Sequence, residues 1–260
     1  FKKKNANIHQ TVISMERKFC DLHIYSDLSI GSASVKDMIA MAVSLDLSSI
    51  CIIDYIKDKN KDNLDRLRKE IAKEKPKIEV LAGVEISTED PEILKRQISG
   101  LRDRADIIIV SGGSSKINRV AVEDARVDIL SAPEKGRRDS GLDDVMARFA
   151  AKNSVAIELN FRAVLNTYRK VRSHILSHMR TNAELAAKYG APLVIASGAE
   201  KPFDMRTGRE LASLGNLAGL GLAESLDSVS SVPESLAKHV KTVKGKGYIM
   251  PGVEVVSRKK

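Results

Sequence analysis

The sequence is poor in cysteine, histidine and aromatic residues, and each shortage argues against a class of function. It contains two cysteines, five histidines, five tyrosines, five phenylalanines and no tryptophan. Cys20 and Cys51 are too few for a disulfide framework or a cysteine-based zinc site, and both lie in β-branched apolar runs, so we expect buried, reduced thiols. Few aromatics stand near basic residues, so a platform that stacks successive single-stranded bases is not expected.

Long apolar runs are absent as well. No stretch approaches the roughly 18 to 20 apolar residues that cross a bilayer, and the N-terminus lacks the apolar core of a secretory signal. We therefore expect a soluble, cytoplasmic protein with no membrane partner. The 260 residues suffice for one large domain, a size that single-domain α/β barrels reach.

Positive charge is concentrated in three segments of a chain whose net charge is +9. Residues 1–18 carry five Lys or Arg against one Glu, residues 162–182 carry five against no acid, and residues 238–260 carry seven against one. Such clustering is typical of a surface that binds a polyanion, although solvated tails explain the two termini equally well. We expect residues 1–14 to be a disordered extension, 15–243 to form the domain and 244–260 to be a basic tail.

Short β-branched runs alternate with helical patterns along the chain. Seven strands are predicted, at residues 19–25, 49–56, 77–87, 106–113, 128–133, 155–161 and 192–198. Their nearly continuous apolar character predicts a parallel sheet covered on both faces. No glycine-rich dinucleotide fingerprint follows the first strand, which favours a TIM-like (β/α) barrel of seven to eight strands over an open sheet. No eighth strand is evident, so closure is either incomplete or made by the helical run 208–241.

Two local patterns predict helix starts. Thr181 and Glu184 have the spacing of a capping box, and Gly190 with Pro192 ends the helix that would follow. The stretch SGGSSK after the fourth strand is either a helix cap or a loop whose backbone N–H groups cradle a phosphate.

Polar residues lie at the carboxyl ends of the predicted strands, where functional side chains of a (β/α) barrel gather. The ionisable ones at issue are Asp21, His23, Asp54, Glu85 and Glu158. Hydrolytic metal sites need several histidine and carboxylate ligands that converge, and one histidine is too few. We therefore predict no catalytic residue and no metal in this chain, and we interpret the five residues as a vestigial pocket.

The order of these strand ends resembles the polymerase-and-histidinol-phosphatase family of metal-dependent phosphoesterase barrels. The corresponding stretches here are DLHIYS, IDYI, GVEIS, SAPE and SGAE. The resemblance implies that ligands are missing at five positions, which hold Tyr25, Tyr55, Ala132, Gly198 and Glu200. It implies a phosphoesterase-like barrel that has lost most of its metal ligands.

A closer resemblance covers roughly residues 15–241. The segments AIELNFRAVL, RSHILSHMRTNAELAAKYGAPLVIASGAEKPFDMR and RELASLGNLAGLGLAES resemble the barrel-shaped protein subunit shared by archaeal and eukaryotic ribonuclease P. That resemblance implies a non-catalytic subunit of an endoribonuclease in which a Mg²⁺-dependent RNA removes the 5′ leader of precursor tRNA. The implied partners are the ribonuclease P RNA, precursor tRNA and a small RNA-binding protein subunit.

Basic residues after the sixth and seventh strands are the candidate RNA contacts, because they would lie on the rim where the barrel loops gather. They are Arg162, Arg169, Lys170, Arg172, Arg180, Lys201, Arg206 and Arg209. Arginine suits bidentate contact with phosphate, and with few aromatics available we expect recognition of the backbone and shape of a folded RNA.

Three alternatives remain open from the sequence. His174 and His178 lie one helical turn apart and could bind a metal, although exposed helix histidines are common. Arg137 and Arg138 stand in a charged loop after the fifth strand that is either functional or merely solvated. The whole chain could also be a divergent metal-dependent phosphoesterase that uses the vestigial-pocket residues.

Overall fold

The computed structural model describes residues 17–58, 62–244, 248–250 and 253–254. The predicted extension at residues 1–14 lies outside the described residues, and so does most of the predicted tail at 244–260. Among the described residues, no helix combines the length and the apolar composition needed to cross a bilayer.

Seven parallel strands form one sheet in which each strand pairs with the next along the chain. They are Cys20–Tyr25 (β1), Ser49–Lys57 (β2), Glu79–Ser87 (β3), Ile108–Ser111 (β4), Ile129–Ser131 (β5), Ala156–Asn160 (β6) and Leu193–Ala196 (β7). All seven predicted strands are present, and β4 and β5 are shorter than predicted because the glycine, serine and proline residues that follow them turn the chain into loops.

Helices follow the strands and cover the outside of the sheet. They are Val35–Ser44 (α1), Leu64–Glu74 (α2), Pro91–Leu101 (α3), Ser115–Glu123 (α4), Asp144–Asn153 (α5), Phe161–Leu165 (α6), Arg169–Tyr189 (α7), Gly208–Leu217 (α8), Leu222–Asp227 (α9) and Ser231–Lys244 (α10). Several helices start at residues that favour helix capping. At the start of α3, for example, the Asp90 carboxylate accepts from the N–H groups of Glu92 and Ile93, which follow Pro91. The TIM-like α/β class predicted from the sequence is confirmed.

Residues outside the strands connect β1 to β7 and bring the sheet close to a closed barrel. Near its start, β1 donates from Cys20 N to the Val229 carbonyl at 2.9 Å, and β7 donates from Ile195 N to the Ser228 carbonyl at 3.0 Å. Near its end, Ile24 pairs with Ala199 in a parallel bridge. The link between α9 and α10 therefore occupies part of the eighth-strand position, within the helical run that the sequence offered for closure.

The C-terminal segment that the sequence gave as a poor eighth strand forms a separate pair. Tyr248–Met250 (β8) and Val253–Glu254 (β9) are antiparallel to each other and do not join the seven-stranded sheet.

Two apolar cores hold the barrel together. The larger lies between the strands and the surrounding helices, and the smaller fills the barrel interior with side chains that include Leu22, Cys51, Ile53 and Ile109. Leu236 of α10 joins the interior cluster, so this helix contributes to closing that core. Both cysteines are buried and free, as expected.

One predicted helix boundary is wrong. Thr181 and Glu184 are not a capping box, because α7 runs without interruption through 21 residues, and the Thr181 hydroxyl donates to the Ser177 carbonyl at 3.3 Å. The preceding residues contain no glycine or proline that would end a helix, so the helix starts earlier. The predicted end at Gly190 is confirmed, with φ 72°. In SGGSSK, the Ser114 side chain caps α4 by accepting from Ile117 N, as one of the two interpretations expects.

Candidate functional site: a closed polar pocket beneath a basic rim

A bulge in β1 shapes the polar pocket at the carboxyl end of the barrel. Asp21 pairs with Ile50 and Ile24 pairs with Ile52, so two residues of β1 stand opposite one residue of β2. Bulges of this kind change the direction of a side chain. Here the consecutive residues Leu22 and His23 both face the barrel interior, so His23 joins Tyr25 in one hydrogen-bond network while Ile24 packs into the outer core.

Four buried side chains make a continuous network, which we call the closed pocket: His23, Tyr25, Glu85 and Glu158. His23 Nδ1 lies 2.9 Å and 3.0 Å from the two Glu158 carboxylate oxygens, and His23 Nε2 lies 2.7 Å from the Tyr25 hydroxyl. The Tyr25 hydroxyl donates to Glu85, whose carboxylate is 3.6 Å from His23 Nε2. The histidine is thus enclosed by two carboxylates and a phenol.

The network keeps His23 charged. Burial alone would lower the pKa of His23, but the nearby carboxylates of Glu158 and Glu85 outweigh it and raise the pKa to about 10. Burial would raise the pKa of Glu85, whereas the bonds from His23 and Tyr25 lower it to about 2. At neutral pH an imidazolium therefore lies between the Glu158 and Glu85 carboxylates.

The other two predicted pocket residues are placed differently. Asp21 accepts through Oδ1 from Ser197 N at 3.1 Å, its Oδ2 has no hydrogen-bond partner within the described part of the chain, and burial raises its pKa to about 6. Asp54 does not join the network, because its carboxylate accepts from the backbone N–H of Asn63 just before α2. The structure thus brings three of the five predicted residues, His23, Glu85 and Glu158, into the closed pocket. It places Asp21 against the Ser197 backbone and Asp54 in a loop contact.

Tyr25 and Asn160 bond to pocket residues that the five-residue set contains, and Glu134 is a further buried carboxylate close enough to Glu158 for the two charges to interact. Asn160 donates to Glu158 Oε1 at 2.9 Å and accepts from Arg162 N at 3.0 Å. Glu134 follows β5, and its burial raises its pKa to about 7. A strand-end position was the available signal for each of them, but an amide, a phenol and an isolated carboxylate do not match a metal-ligand pattern.

Arg162 lies over the pocket instead of projecting from the rim. Its guanidinium is 5.0 Å from the centre of the Tyr25 ring and forms an ion pair with Glu200. The Glu200 carbonyl in turn accepts from Ser32 N at 2.8 Å, which joins the loop after β7 to the loop after β1. Gly198 permits this approach, because its φ is 62° and a Cβ there would collide with the Asn160 side chain.

The residues present do not fit the divalent ions of related folds. A metal-bound histidine must be neutral at the ligating nitrogen, whereas both nitrogens of the charged His23 are already bonded to pocket side chains. Ala132, at a position where the phosphoesterase pattern has a ligand, offers only a methyl group. Among the residues that the structure describes, no three His, Cys, Asp or Glu side chains are grouped for metal binding.

The basic candidates divide between the rim and the flank of the barrel. Arg169, Lys170 and Arg172 are exposed in the first turn of α7, which follows β6, and Lys201 and Arg209 are exposed after β7. Arg180 lies roughly 16 Å further along α7 at 1.5 Å per residue, where its guanidinium donates to the Leu217 carbonyl at the end of α8. It is therefore not a rim residue, contrary to the prediction.

The other sequence alternatives are also placed. His174 is exposed and His178 half-buried, and within the described part of the chain neither belongs to a group of three potential metal ligands. Arg137 forms an ion pair with Asp139 within its own loop, at 2.5 Å, while Arg138 is exposed.

The barrel itself is shared with metal-dependent hydrolases. A crystal structure of a histidinol phosphate phosphatase from Lactococcus lactis, complexed with zinc, histidinol and phosphate, superposes with a TM-score of 0.53 over 86% of this chain and 94% of that chain. The sequence identity is 13%, so the likeness establishes the fold alone. The chain thus has the (β/α) barrel fold of that structure, and its polar pocket is filled by its own side chains.

Sequence comparison identifies the family. The model of the family described as "RNase P subunit p30" matches residues 18–244, and the chain belongs to that family. Ribonuclease P protein component 3 of Methanothermobacter thermautotrophicus is 39% identical over 68% of this chain and 71% of its own length. The same component of Methanosarcina acetivorans is 35% identical over 92% of this chain and 96% of its own.

A solved structure agrees with this assignment. One chain of a cryo-EM structure of archaeal ribonuclease P with mature tRNA is 31% identical, with a TM-score of 0.76 over 92% of this chain and 99% of that chain. Both resemblances inferred from the sequence are therefore confirmed, one as family and one as fold.

Proposed function

We propose that this chain is the p30-type protein subunit of a ribonuclease P ribonucleoprotein and supports RNA-catalysed removal of the 5′ leader from precursor tRNA. The observation that carries the proposal is the family match across residues 18–244. In the proposed complex the chain contacts the ribonuclease P RNA, precursor tRNA and a small RNA-binding protein subunit, in the cytoplasm. Mg²⁺ serves the RNA, and the chain needs no cofactor of its own.

The closed pocket supports a non-catalytic role for the chain. Its carboxylates and histidine are engaged with one another, so no nucleophile or general base is free to reach a substrate. Arg162 and Glu200 also cover the tyrosine at the pocket mouth. We assign the closed pocket to the stability of the barrel.

The rim supports a role in binding RNA. The first turn of α7 presents Arg169, Lys170 and Arg172 without an acidic residue in that turn. Contacts between such side chains and phosphates supply affinity that does not depend on sequence. The rim, and not the closed pocket, is therefore the proposed site of action.

Capture of the tagged full-length chain from its own cells, with sequencing of the retained RNA, tests this function. We expect one abundant structured RNA together with tRNA precursors that carry 5′ leaders. Recovery of no RNA above the untagged control would refute the proposal.

The phosphoesterase alternative has its own assay. Purified chain incubated with Mn²⁺ and a generic phosphodiester is expected to show no hydrolysis above buffer. Hydrolysis that disappears in the His23→Ala variant would show that the pocket is catalytic.

A further inference from the structure

Phe203 is the most exposed of the large apolar side chains that the structure describes. It is 82% exposed, whereas Tyr168 is 72% and Leu222 is 67% exposed. It lies in the 3-10 turn Pro202–Asp204 of the loop between β7 and α8. A ring left this far in water gains no burial energy in the free chain, and its faces are accessible to a binding partner.

The turn that carries Phe203 is fixed at both ends. Before it, Ala199 bridges to β1 and Glu200 is paired with Arg162. Within it, Asp204 N donates to the Lys201 carbonyl at 3.0 Å, and after it Met205 is buried at 3% exposure. A ring held on a fixed turn loses little conformational entropy when it binds.

The exposed ring of Tyr168 is less well fixed. It precedes α7 in a link whose backbone bonds, Thr167 N to the Val164 carbonyl and Arg172 N to the Tyr168 carbonyl, are both 3.5 Å long. Phe203 is therefore the better-organised aromatic of the two.

Basic side chains flank Phe203 on both sides in the chain. The Lys201 side chain is 58% exposed, and its ammonium lies 3.9 Å from the Asp204 carboxylate. Arg206 donates to the carbonyls of Phe203 and Met205, both at 2.8 Å, and lies 5.2 Å from the Phe161 ring. Carbonyl and ring contacts leave the guanidinium charge in place, so the turn that carries the exposed ring has a cationic residue before it and another after it in the chain.

This combination fits an unpaired nucleotide better than an apolar protein surface. A base has a π-face for the ring and phosphates for the adjacent cations, whereas burying two charges against an apolar partner would be unfavourable. The scarcity of aromatic residues argues against a platform for a run of bases, but one ring is enough for one base.

We infer that Phe203 stacks on an unpaired base of a bound RNA, with Lys201 and Arg206 contacting the phosphates beside it. The inference rests on the proposed RNA-binding function and adds a base contact to the backbone contacts of the rim. Arg162 has a positioning role, because its pair with Glu200 fixes the loop that carries the ring.

The absence of tryptophan gives a direct test. Phe203→Trp introduces the chain's single tryptophan, which a stacked base would quench. The probes are an RNA hairpin with an unpaired adenine loop and a blunt duplex with the same stem, titrated into the full-length protein at low salt. We expect quenching by the hairpin and little by the duplex, whereas Leu222→Trp, a matched exposed site on α9, is quenched by neither.

Affinity measurements complete the test. Stacking of one base corresponds to a loss of about 5- to 150-fold in hairpin affinity for Phe203→Ala. Phe203→Leu should lose affinity similarly, because leucine is apolar but has no π-face, and Phe203→Trp should retain it. Lys201→Gln and Arg206→Gln should each reduce the salt slope by about 0.7 to 0.9.

Two outcomes overturn the inference while leaving RNA binding intact. One is wild-type hairpin affinity in Phe203→Ala. The other is full affinity in Phe203→Leu, which would indicate an apolar contact such as a protein partner makes. Failure of the wild-type chain to bind either RNA would instead refute the proposed function, and it is measured first.

Discussion

Replacing His23 by alanine should destabilise the protein strongly at neutral pH. The pKa of His23 is about 10 against an ordinary value of 6.5, and at 1.36 kcal/mol per pKa unit this difference corresponds to roughly 5 kcal/mol. Removing one partner of a buried ion pair typically costs about 3 to 5 kcal/mol, because the remaining charge stays buried without compensation. We therefore expect His23→Ala to lose about 3 to 5 kcal/mol of unfolding free energy at pH 7.

The sign of the pH dependence follows from the raised pKa. A histidine whose pKa is raised by folding contributes its full stabilisation below the unfolded-state value, and that contribution is lost as pH rises towards the folded-state value. The difference in unfolding free energy between wild type and His23→Ala should therefore shrink from about pH 6.5 to about pH 10. Urea unfolding followed by far-ultraviolet circular dichroism at several pH values measures it.

A matched control separates lost charge from lost packing. Leu22→Ala leaves a cavity beside His23 in the same strand, and its loss of stability should not vary over this pH range. A double-mutant cycle of His23→Ala with Glu158→Gln should show that the two losses are less than additive, since the glutamine removes the charge that the histidine compensates. A His23→Ala loss below about 1 kcal/mol, or one that is constant with pH, would refute the charged-pocket interpretation.

Three further predictions concern the rim and its support. Arg172→Glu should weaken precursor-tRNA cleavage by the reconstituted enzyme, with a stability change below about 0.5 kcal/mol. The enzyme reconstituted with the exposed control Lys188→Glu, on the same helix, should cleave normally. Equal effects of the two substitutions would refute a localised rim. The logarithm of RNA affinity should fall linearly with the logarithm of salt concentration, with a slope of about 0.7 to 0.9 per phosphate contact. An affinity that does not change with salt concentration would contradict phosphate binding. Gly198→Ala should destabilise the protein by about 1 to 3 kcal/mol, because the position has a left-handed φ and faces Asn160; an unchanged melting temperature would show that the loop adapts.

The strand order and the barrel were predictable because β-branched runs and turn residues alternate regularly along the chain. Seven strands needed no long-range information, and the strand-end rule then identified His23, Glu85 and Glu158 as neighbours. The family likewise follows from local sequence, since three segments between residues 156 and 225 carry the resemblance to it.

The predictions that were wrong concern residues whose positions depend on contacts with distant parts of the chain. Asp54 is at a strand end, but Asn63 competes for its carboxylate, and strand position cannot show this. Arg162 was grouped with the rim arginines because it follows β6. Tyr25 and Glu200, which are far apart in the sequence, hold it over the pocket. The capping pattern at Thr181 does not start a helix, because α7 begins twelve residues earlier, at Arg169.

The central claim, that the chain acts through its rim and not through its pocket, is tested most directly by one cleavage assay. Ribonuclease P reconstituted with the His23→Ala chain is compared with wild type for 5′-leader removal, at a temperature where circular dichroism shows the variant folded. The account predicts that leader removal is retained, because the closed pocket stabilises the barrel and takes no part in the chemistry. Loss of cleavage in a variant that is still folded would contradict it.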